Sequence, residues 1–403
     1  MRTLLVCFFL LSAVSCRVKR AALNPETYPE SLWSTERPIS YVFHSNYTDE
    51  KHRQMIQWVI EEIQRNSCLQ FEKVPDLDSC NDSRYFYIFH EIFHALGLLH
   101  TQNRADRDDF VAINDSLIKS DHAEFYKKQA DEDGFHSGLP YDFGSIMHLT
   151  NQGGVMTPLD ELFAQTMGSL SNIPAFTDYL LLNRLYRCEE RCASVKTVCE
   201  NGGFMNPNDC QRCVCPNGFG GAFCDQPVMR PYNGSTSGGV HYATESWKNL
   251  TLEIEHDGNP ICTYCVWHLK ASVGKQIEVR LMEVGPTNHC HLLFEGWMEL
   301  QIRNLDVRGF RFSCNDHLYK ETLTSEGDRA LVSLYTAAVW SKEKSVKLEF
   351  RSVTVDAGES ELTSNVTTPL PALKDELKSS SYVPSSLVCV LACLLLSKCL
   401  LAQ

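Results

Sequence analysis

Positive charge is scarce in this 403-residue chain: 37 Lys and Arg stand against 50 Asp and Glu, a formal net charge of −13. That balance excludes nucleic acid as the main partner, because phosphate binding needs clustered basic excess. Long apolar runs are missing too. The apolar stretches at the two ends, Leu4 to Val14 and Leu387 to Ala402, are short for a helix that spans a bilayer. A composition of 43% apolar and 22% charged residues rules out wholesale disorder. The length predicts two or three domains.

Cysteine, by contrast, is abundant, with eighteen in the chain. This points to an oxidising compartment, to metal sites, or to both. The N-terminus agrees with the first. Arg2, the apolar run after it and Ala13-Val14-Ser15 form a secretory signal over residues 1–15. The basic stretch Arg17-Val18-Lys19-Arg20 within a short propeptide, 16–20, would let a convertase release Ala21 as the mature N-terminus. N-glycosylation sequons begin at Asn46, Asn81, Asn114, Asn233, Asn249 and Asn365, which fits an extracellular glycoprotein. Residues 355–386 read as a Ser/Thr/Pro-rich stalk and 387–403 as a hydrophobic tail. Secretion is the expected localisation, with attachment to the cell surface through that tail as the alternative.

Cys7 and Cys16 belong to the leader and Cys389, Cys393 and Cys399 to the tail, which leaves an odd number between them. Six of these, Cys192, Cys199, Cys210, Cys213, Cys215 and Cys224, crowd into residues 189–225, a segment too short to fold on an apolar core alone. With turns at Asn201-Gly202-Gly203 and Gly218-Phe219-Gly220-Gly221 it resembles an EGF-like module; a zinc knuckle is the other reading. The resemblance implies pairs Cys192–Cys210, Cys199–Cys213 and Cys215–Cys224. Residues 226–354 alternate apolar and polar positions, as in Val266-Trp267-His268-Leu269 and Ile277-Glu278-Val279-Arg280-Leu281, and predict an antiparallel β-sandwich. Its cysteines resemble those of a CUB domain, which implies a Cys290–Cys314 pair and leaves Cys262 and Cys265 irregular. Another kind of β-sandwich is the alternative.

The chemistry sits in residues 21–188. Thr48 is expected to cap a helix whose stripe is Met55, Ile56, Val59, Ile60 and Ile63, a core-packing face. Farther on stands His90-Glu91-Ile92-Phe93-His94-Ala95-Leu96-Gly97-Leu98-Leu99-His100. On a helix, His90 and His94 share one face, a spacing suited to chelating Zn²⁺. Gly97 can take a left-handed conformation and turn the chain so that His100 becomes a third ligand. Three imidazoles leave one coordination position open, the mark of a catalytic ion. Glu91 is placed to act on water held there as general base.

The full spacing, with Ser145-Ile146-Met147-His148 downstream, is the metzincin pattern, in which Met147 forms an apolar floor under the metal. Asn103-Arg104-Ala105-Asp106-Arg107-Asp108-Asp109-Phe110, Tyr141-Asp142-Phe143 and Leu185-Tyr186-Arg187-Cys188 add to it. Together they resemble the astacin family of zinc metalloproteases, in the astacin–EGF–CUB architecture seen in nematodes. The resemblance implies a multidomain fold: an α+β metzincin domain, a small disulfide-rich module and an all-β sandwich. It also implies one Zn ion, a Cys68–Cys188 disulfide and a secreted zinc metalloendopeptidase acting on protein or peptide substrates, with matrix or cell-surface proteins as partners of the accessory modules.

The chain departs from the family in three places. Leu149 stands where a tyrosine is usual, and Thr101 where a glutamate usually meets the buried mature N-terminus. Residues 72–89 are much shorter than the family's segment, which normally carries a substrate-pairing edge strand; Cys80 loses its partner there. These departures motivate a second expectation, a catalytically impaired protein that binds partners through its EGF-like and CUB-like modules.

Overall fold

The computed structural model describes residues 3–5, 22, 24–25, 32–43, 49–73, 88–120, 122–129, 137–151, 153–168, 174–228, 230–232, 235–255, 263–285, 296–312, 320–336 and 343–354. Thr48, Cys80, Cys262, Cys290, Cys314, the propeptide, the stalk, the tail and the sequons at Asn46, Asn81, Asn233 and Asn365 lie outside these residues. Asn114 and Asn249 are both exposed.

The N-terminal part opens on a parallel sheet of β1 (Thr3–Leu5), β2 (Ile39–Val42) and β3 (Phe71–Lys73), with β2 in the centre. Between β2 and β3 runs α1 (Glu50–Asn66), capped by Asp49, whose carboxylate accepts from the His52 amide at 3.2 Å. The cap thus falls one residue after the expected Thr48, at another strong N-cap residue type. Ile56, Val59, Ile60 and Ile63 are buried, but Met55 is exposed and does not belong to the stripe. Residue 55 sits at the margin of an apolar face centred on the other four.

Helix α2 (Ile88–Ala95) packs Phe89, Ile92 and Phe93 into the same core, and α3 (Phe176–Leu185) adds Tyr179, Leu182 and Leu185. Asn183 on α3 donates to the Asn66 carbonyl at 2.6 Å, tying α3 to the end of α1. The Cys68–Cys188 disulfide, both sulfurs buried, locks the same corner across 120 residues. The short strands β4 (Val111–Ile113) and β5 (Met156–Pro158) pair antiparallel beside a second cluster built on Tyr126, Tyr141, Phe143 and Met167.

Residues 188–228 carry little regular structure: β6 (Phe204–Asn206) and β7 (Asp209–Val214), plus one two-stranded bridge. Three disulfides, Cys192–Cys210, Cys199–Cys213 and Cys215–Cys224, replace the core such a segment cannot build. It leans on both neighbours. Asn208 donates to the carbonyls of Gln64 and Ser67 at 2.7 and 2.9 Å, and Phe219 packs with Val266 and Leu331.

The C-terminal part is a sandwich of two sheets. One has the order Gly239–Tyr242, Thr263–Lys270, Arg329–Thr336, Gly296–Gln301, Phe310–Phe312; the other has Lys248–Glu255, Glu343–Thr354, Lys275–Gly285, Thr322–Thr324. Neighbours are antiparallel except the first pair, Gly239–Tyr242 with Thr263–Lys270. The predicted alternation appears as buried Ile277, Val279 and Leu281, which share one core with Phe350 of the same sheet and with Leu300 and Val332 of the other. Cys265 is buried in that core. Among the described residues no helix is long and apolar enough to cross a membrane.

The Cys68–Cys188 crosslink closes the longest of the observed loops. Replacing both cysteines with serine is expected to lower stability by about 4–5 kcal/mol, on the chain-entropy account. Denaturant unfolding of the purified double variant measures it.

Candidate active site

Helix α2 ends in a way its sequence anticipates. Gly97 takes φ +95°. The Gly97 amide donates to the His94 carbonyl at 3.0 Å, and the Leu98 amide reaches back to Phe93 at 2.9 Å. This is the reversal that a left-handed glycine makes at a helix C-terminus. Two large side chains satisfy the remaining end carbonyls: Trp33 Nε1 donates to Ala95 at 2.8 Å, and the Tyr186 hydroxyl to Leu96 at 3.0 Å. After the turn, His100 comes back over the face that carries His90 and His94.

The three side chains meet. Nε2 of His100 lies 3.2 Å from Nε2 of His90 and 3.2 Å from Nε2 of His94. The His90 and His94 rings stand nearly perpendicular, 4.5 Å between centroids. Their outer nitrogens are engaged: Nδ1 of His90 donates to the Ile146 carbonyl at 2.7 Å and Nδ1 of His94 to the Leu98 carbonyl at 2.8 Å. A carbonyl only accepts, so Nδ1 carries the proton in both rings and the Nε2 lone pairs point inward. Burial holds all three imidazoles below their usual pKa, with mutual repulsion adding for His94, at about 3, and for His100. Neutral, inward-facing nitrogens are what a metal requires. Tetrahedral Zn²⁺ with bonds of about 2.0–2.1 Å separates neighbouring nitrogens by roughly 3.3–3.4 Å. The observed 3.2 Å spacings match that, and the three ligand atoms lie within 4.8 Å of one another. The donor set therefore fits zinc.

Glu91 follows His90 on α2, and desolvation raises its carboxyl to about 7. Below the imidazoles runs the Ser145–His148 turn. Ile146 supplies the carbonyl that orients His90, the Met147 carbonyl accepts from the Thr101 amide at 3.0 Å, and Met147 itself is buried. Thr101 is thus tied to the turn through its backbone. The N-terminal segment comes close as well: Ala22 is fully buried and forms an antiparallel bridge with Leu98. That contact is made by backbone, so it does not depend on the side chain at position 101. Leu149 packs against the aromatic cluster, and its amide donates to Gln102 at 3.1 Å.

Two buried carboxylates support this turn, and their role was not legible from spacing. Asp178 on α3 accepts from Ser145 Oγ at 2.5 Å and from the amides of Ile146 at 3.1 Å and Ala175 at 2.7 Å. Asp142 accepts from Thr177 Oγ1 at 2.6 Å and the Gly144 amide at 2.9 Å. Desolvation raises both carboxyls, Asp178 to about 6, where the nearby Asp142 charge adds to the effect. Tyr141 donates its hydroxyl to Nε2 of His148 at 2.8 Å. The Tyr141-Asp142-Phe143 motif contained two of these residues without showing what they hold; Asp178 had no local signal at all.

Asp178→Asn keeps the volume but turns one acceptor into a donor facing backbone N–H groups. We expect a loss of about 2–4 kcal/mol, since hydrogen bonds to charged groups contribute about 1.5–3 kcal/mol each. Thermal unfolding of the variant at neutral pH is the check.

Comparison with known proteins places this geometry. Residues 77–187 match the family model described as Astacin, a peptidase family. Zinc metalloproteinase nas-27 of Caenorhabditis elegans is 28% identical over 374 residues, covering 81% of this chain and 86% of that protein. Zinc metalloproteinase nas-29 of the same nematode is 29% identical over 382 residues, covering 85% and 69%. A solved structure of high choriolytic enzyme 1, a hatching enzyme zinc-protease of the medaka Oryzias latipes, overlaps 41% of this chain and 98% of its own. It does so at 20% identity and a TM-score of 0.35, too loosely to bear on the fold. Residues 77–187 thus match the astacin peptidase model, and the relatives that align with most of the chain are zinc metalloproteinases, which agrees with a single zinc at the three histidines.

Proposed function

We propose that this protein is a secreted endopeptidase whose zinc is held by His90, His94 and His100, with Glu91 as the proton carrier. The observation that carries the reading is the convergence of three inward-facing Nε2 atoms at 3.2 Å. Bound there, Zn²⁺ supplies Lewis acidity toward a water and toward a peptide carbonyl. The chain does the rest. The Ile146 and Leu98 carbonyls fix the tautomer and tilt of His90 and His94. The Glu91 carboxyl, raised by burial above the ordinary carboxylate range, is a stronger base than an exposed glutamate. It takes a proton from the attacking water and returns it to the leaving amine. Met147 closes the floor with an apolar side chain that offers no competing strong ligand.

The reading extends to the rest of the chain. Residues 189–225 act as an EGF-like module and 226–354 as a CUB-like module, both suited to holding protein partners outside the cell. Four disulfides among the described residues support an oxidising compartment. A signal at 1–15 and cleavage after Arg20 would start the mature chain at Ala21 and remove β1, leaving β2 paired with β3 alone.

A second reading, an impaired protease that serves as an extracellular binding protein, is favoured by one feature. Leu149 has no hydroxyl to offer a developing oxyanion, and removing one such donor costs about 10²–10³ in rate. Two measurements separate the readings. Glu91→Gln should leave one zinc bound, by metal analysis, while peptide hydrolysis falls about 10²–10⁴-fold; wild-type hydrolysis no faster than this variant's would leave only the binding protein. Leu149→Tyr should raise kcat by up to about 10²-fold with KM little changed, because a donor used only in the transition state does not help ground-state binding.

A further inference from the structure

The C-terminal sandwich does not merely follow the protease domain in sequence; it inserts into it. The loop between Gln301 and Phe310 carries Arg308, whose side chain is fully buried. Its amide donates to Asp142 Oδ1 at 3.3 Å, the oxygen that also accepts from Gly144. The fit is close. A Cβ on Gly144 would stand 2.4 Å from both Cβ and Cγ of Arg308, so only glycine lets the base of the arginine side chain seat this close. Beside this contact, Thr166 Oγ1 donates to the Gly309 carbonyl at 3.0 Å and accepts from the Arg311 amide at 3.0 Å. An aromatic stack continues the junction: Phe310 to Phe163 at 4.6 Å, Phe163 to Phe143 at 4.2 Å.

Charge makes the contact more than packing. Within the sandwich, buried Glu299 faces both Arg311, at 3.4 Å, and Arg308, at 3.9 Å. One carboxylate against two guanidiniums leaves a positive surplus on that side, and Asp142 brings an opposing charge from the protease side. Asp142 is also the anchor of the turn below the imidazoles, since its carbonyl accepts from the Ser145 amide at 3.3 Å. One residue beyond Ser145 is Ile146, whose carbonyl orients His90.

We propose that Arg308 is a positioning residue for the zinc centre: docked against Asp142 and Gly144, it holds the Ser145–His148 turn, and through Ile146 the His90 ring, in the ligating orientation. The proposal rests on the three-histidine centre above. It makes the sandwich a structural part of the active site in addition to a module that holds partners.

The test uses the full secreted chain and reads zinc release into a chromophoric chelator alongside kcat and KM on a short peptide. Arg308→Met keeps the side chain's length and removes its charge. It should release zinc about tenfold faster, the lower end of what loss of an outer-shell partner does to metal sites, and lower kcat with KM unchanged. Arg308→Lys should recover most of both. Thr166→Val, which loses only the hydroxyl bridge, should move release in the same direction by a smaller factor. Leu252→Ala, in the core of the other sheet, should lower Tm but leave release at the wild-type rate. Wild-type release from folded Arg308→Met overturns the proposal; so does Leu252→Ala releasing zinc as fast as Arg308→Met at a matched loss of Tm. Should Arg308→Met fail to fold, wild-type release from both Arg308→Lys and Thr166→Val overturns it. A wild-type chain that holds no zinc overturns the metal centre itself, which is a different result from zinc held equally well by every variant.

Discussion

Three imidazole lone pairs aimed at one point repel one another, and only a shared cation turns that convergence into attraction. The rest of the protease domain is organised around enforcing it. Two backbone carbonyls pin the outer nitrogens of His90 and His94, a left-handed glycine brings His100 round, and the chain around these groups excludes the water that would otherwise protonate or solvate the rings. Burial that depresses the imidazoles and raises Glu91 is one cause acting on two kinds of group. It disfavours charge on both, which leaves the nitrogens bare and makes the carboxyl more basic than an exposed one.

What could be read from the sequence was what is local. The spacing of His90, His94 and His100 and the role of Gly97 lie within eleven consecutive residues, where helix geometry alone relates them. The alternation over 266–269 and 277–281 marked strands for the same reason, since side-chain direction in a strand repeats every second residue. The α1 stripe was legible except at its margin, where Met55 turned out exposed, and its cap was missed by one position although Asp49 is the stronger N-cap residue of the adjacent pair Thr48-Asp49. Illegible were the partners brought together by tertiary folding. Asp178 meets Ser145 across 33 residues and Arg308 meets Asp142 across 166. No periodicity or motif relates positions so far apart, and a buried acid looks in sequence like any surface acid.

The departures at Thr101 and Leu149 affect different links of the chain. Position 101 was expected to weaken anchoring of the N-terminal segment. Ala22 is nevertheless fully buried beside Leu98, because backbone pairing needs no particular side chain. Position 149 bears on chemistry instead of architecture: leucine fills the aromatic cluster well, and what it lacks is a donor for charge that develops only during reaction.

The contact between Asp142 and Arg308, 166 residues apart, also sets an order in time. Ribosomes add about 5–20 residues per second, so roughly 10–30 s separate the emergence of these two side chains. During that interval the histidine segment has left the ribosome while the underside of its turn lacks the arginine that docks there. A chain assembled in this order completes the contact beneath the turn only after most of its own length has been made.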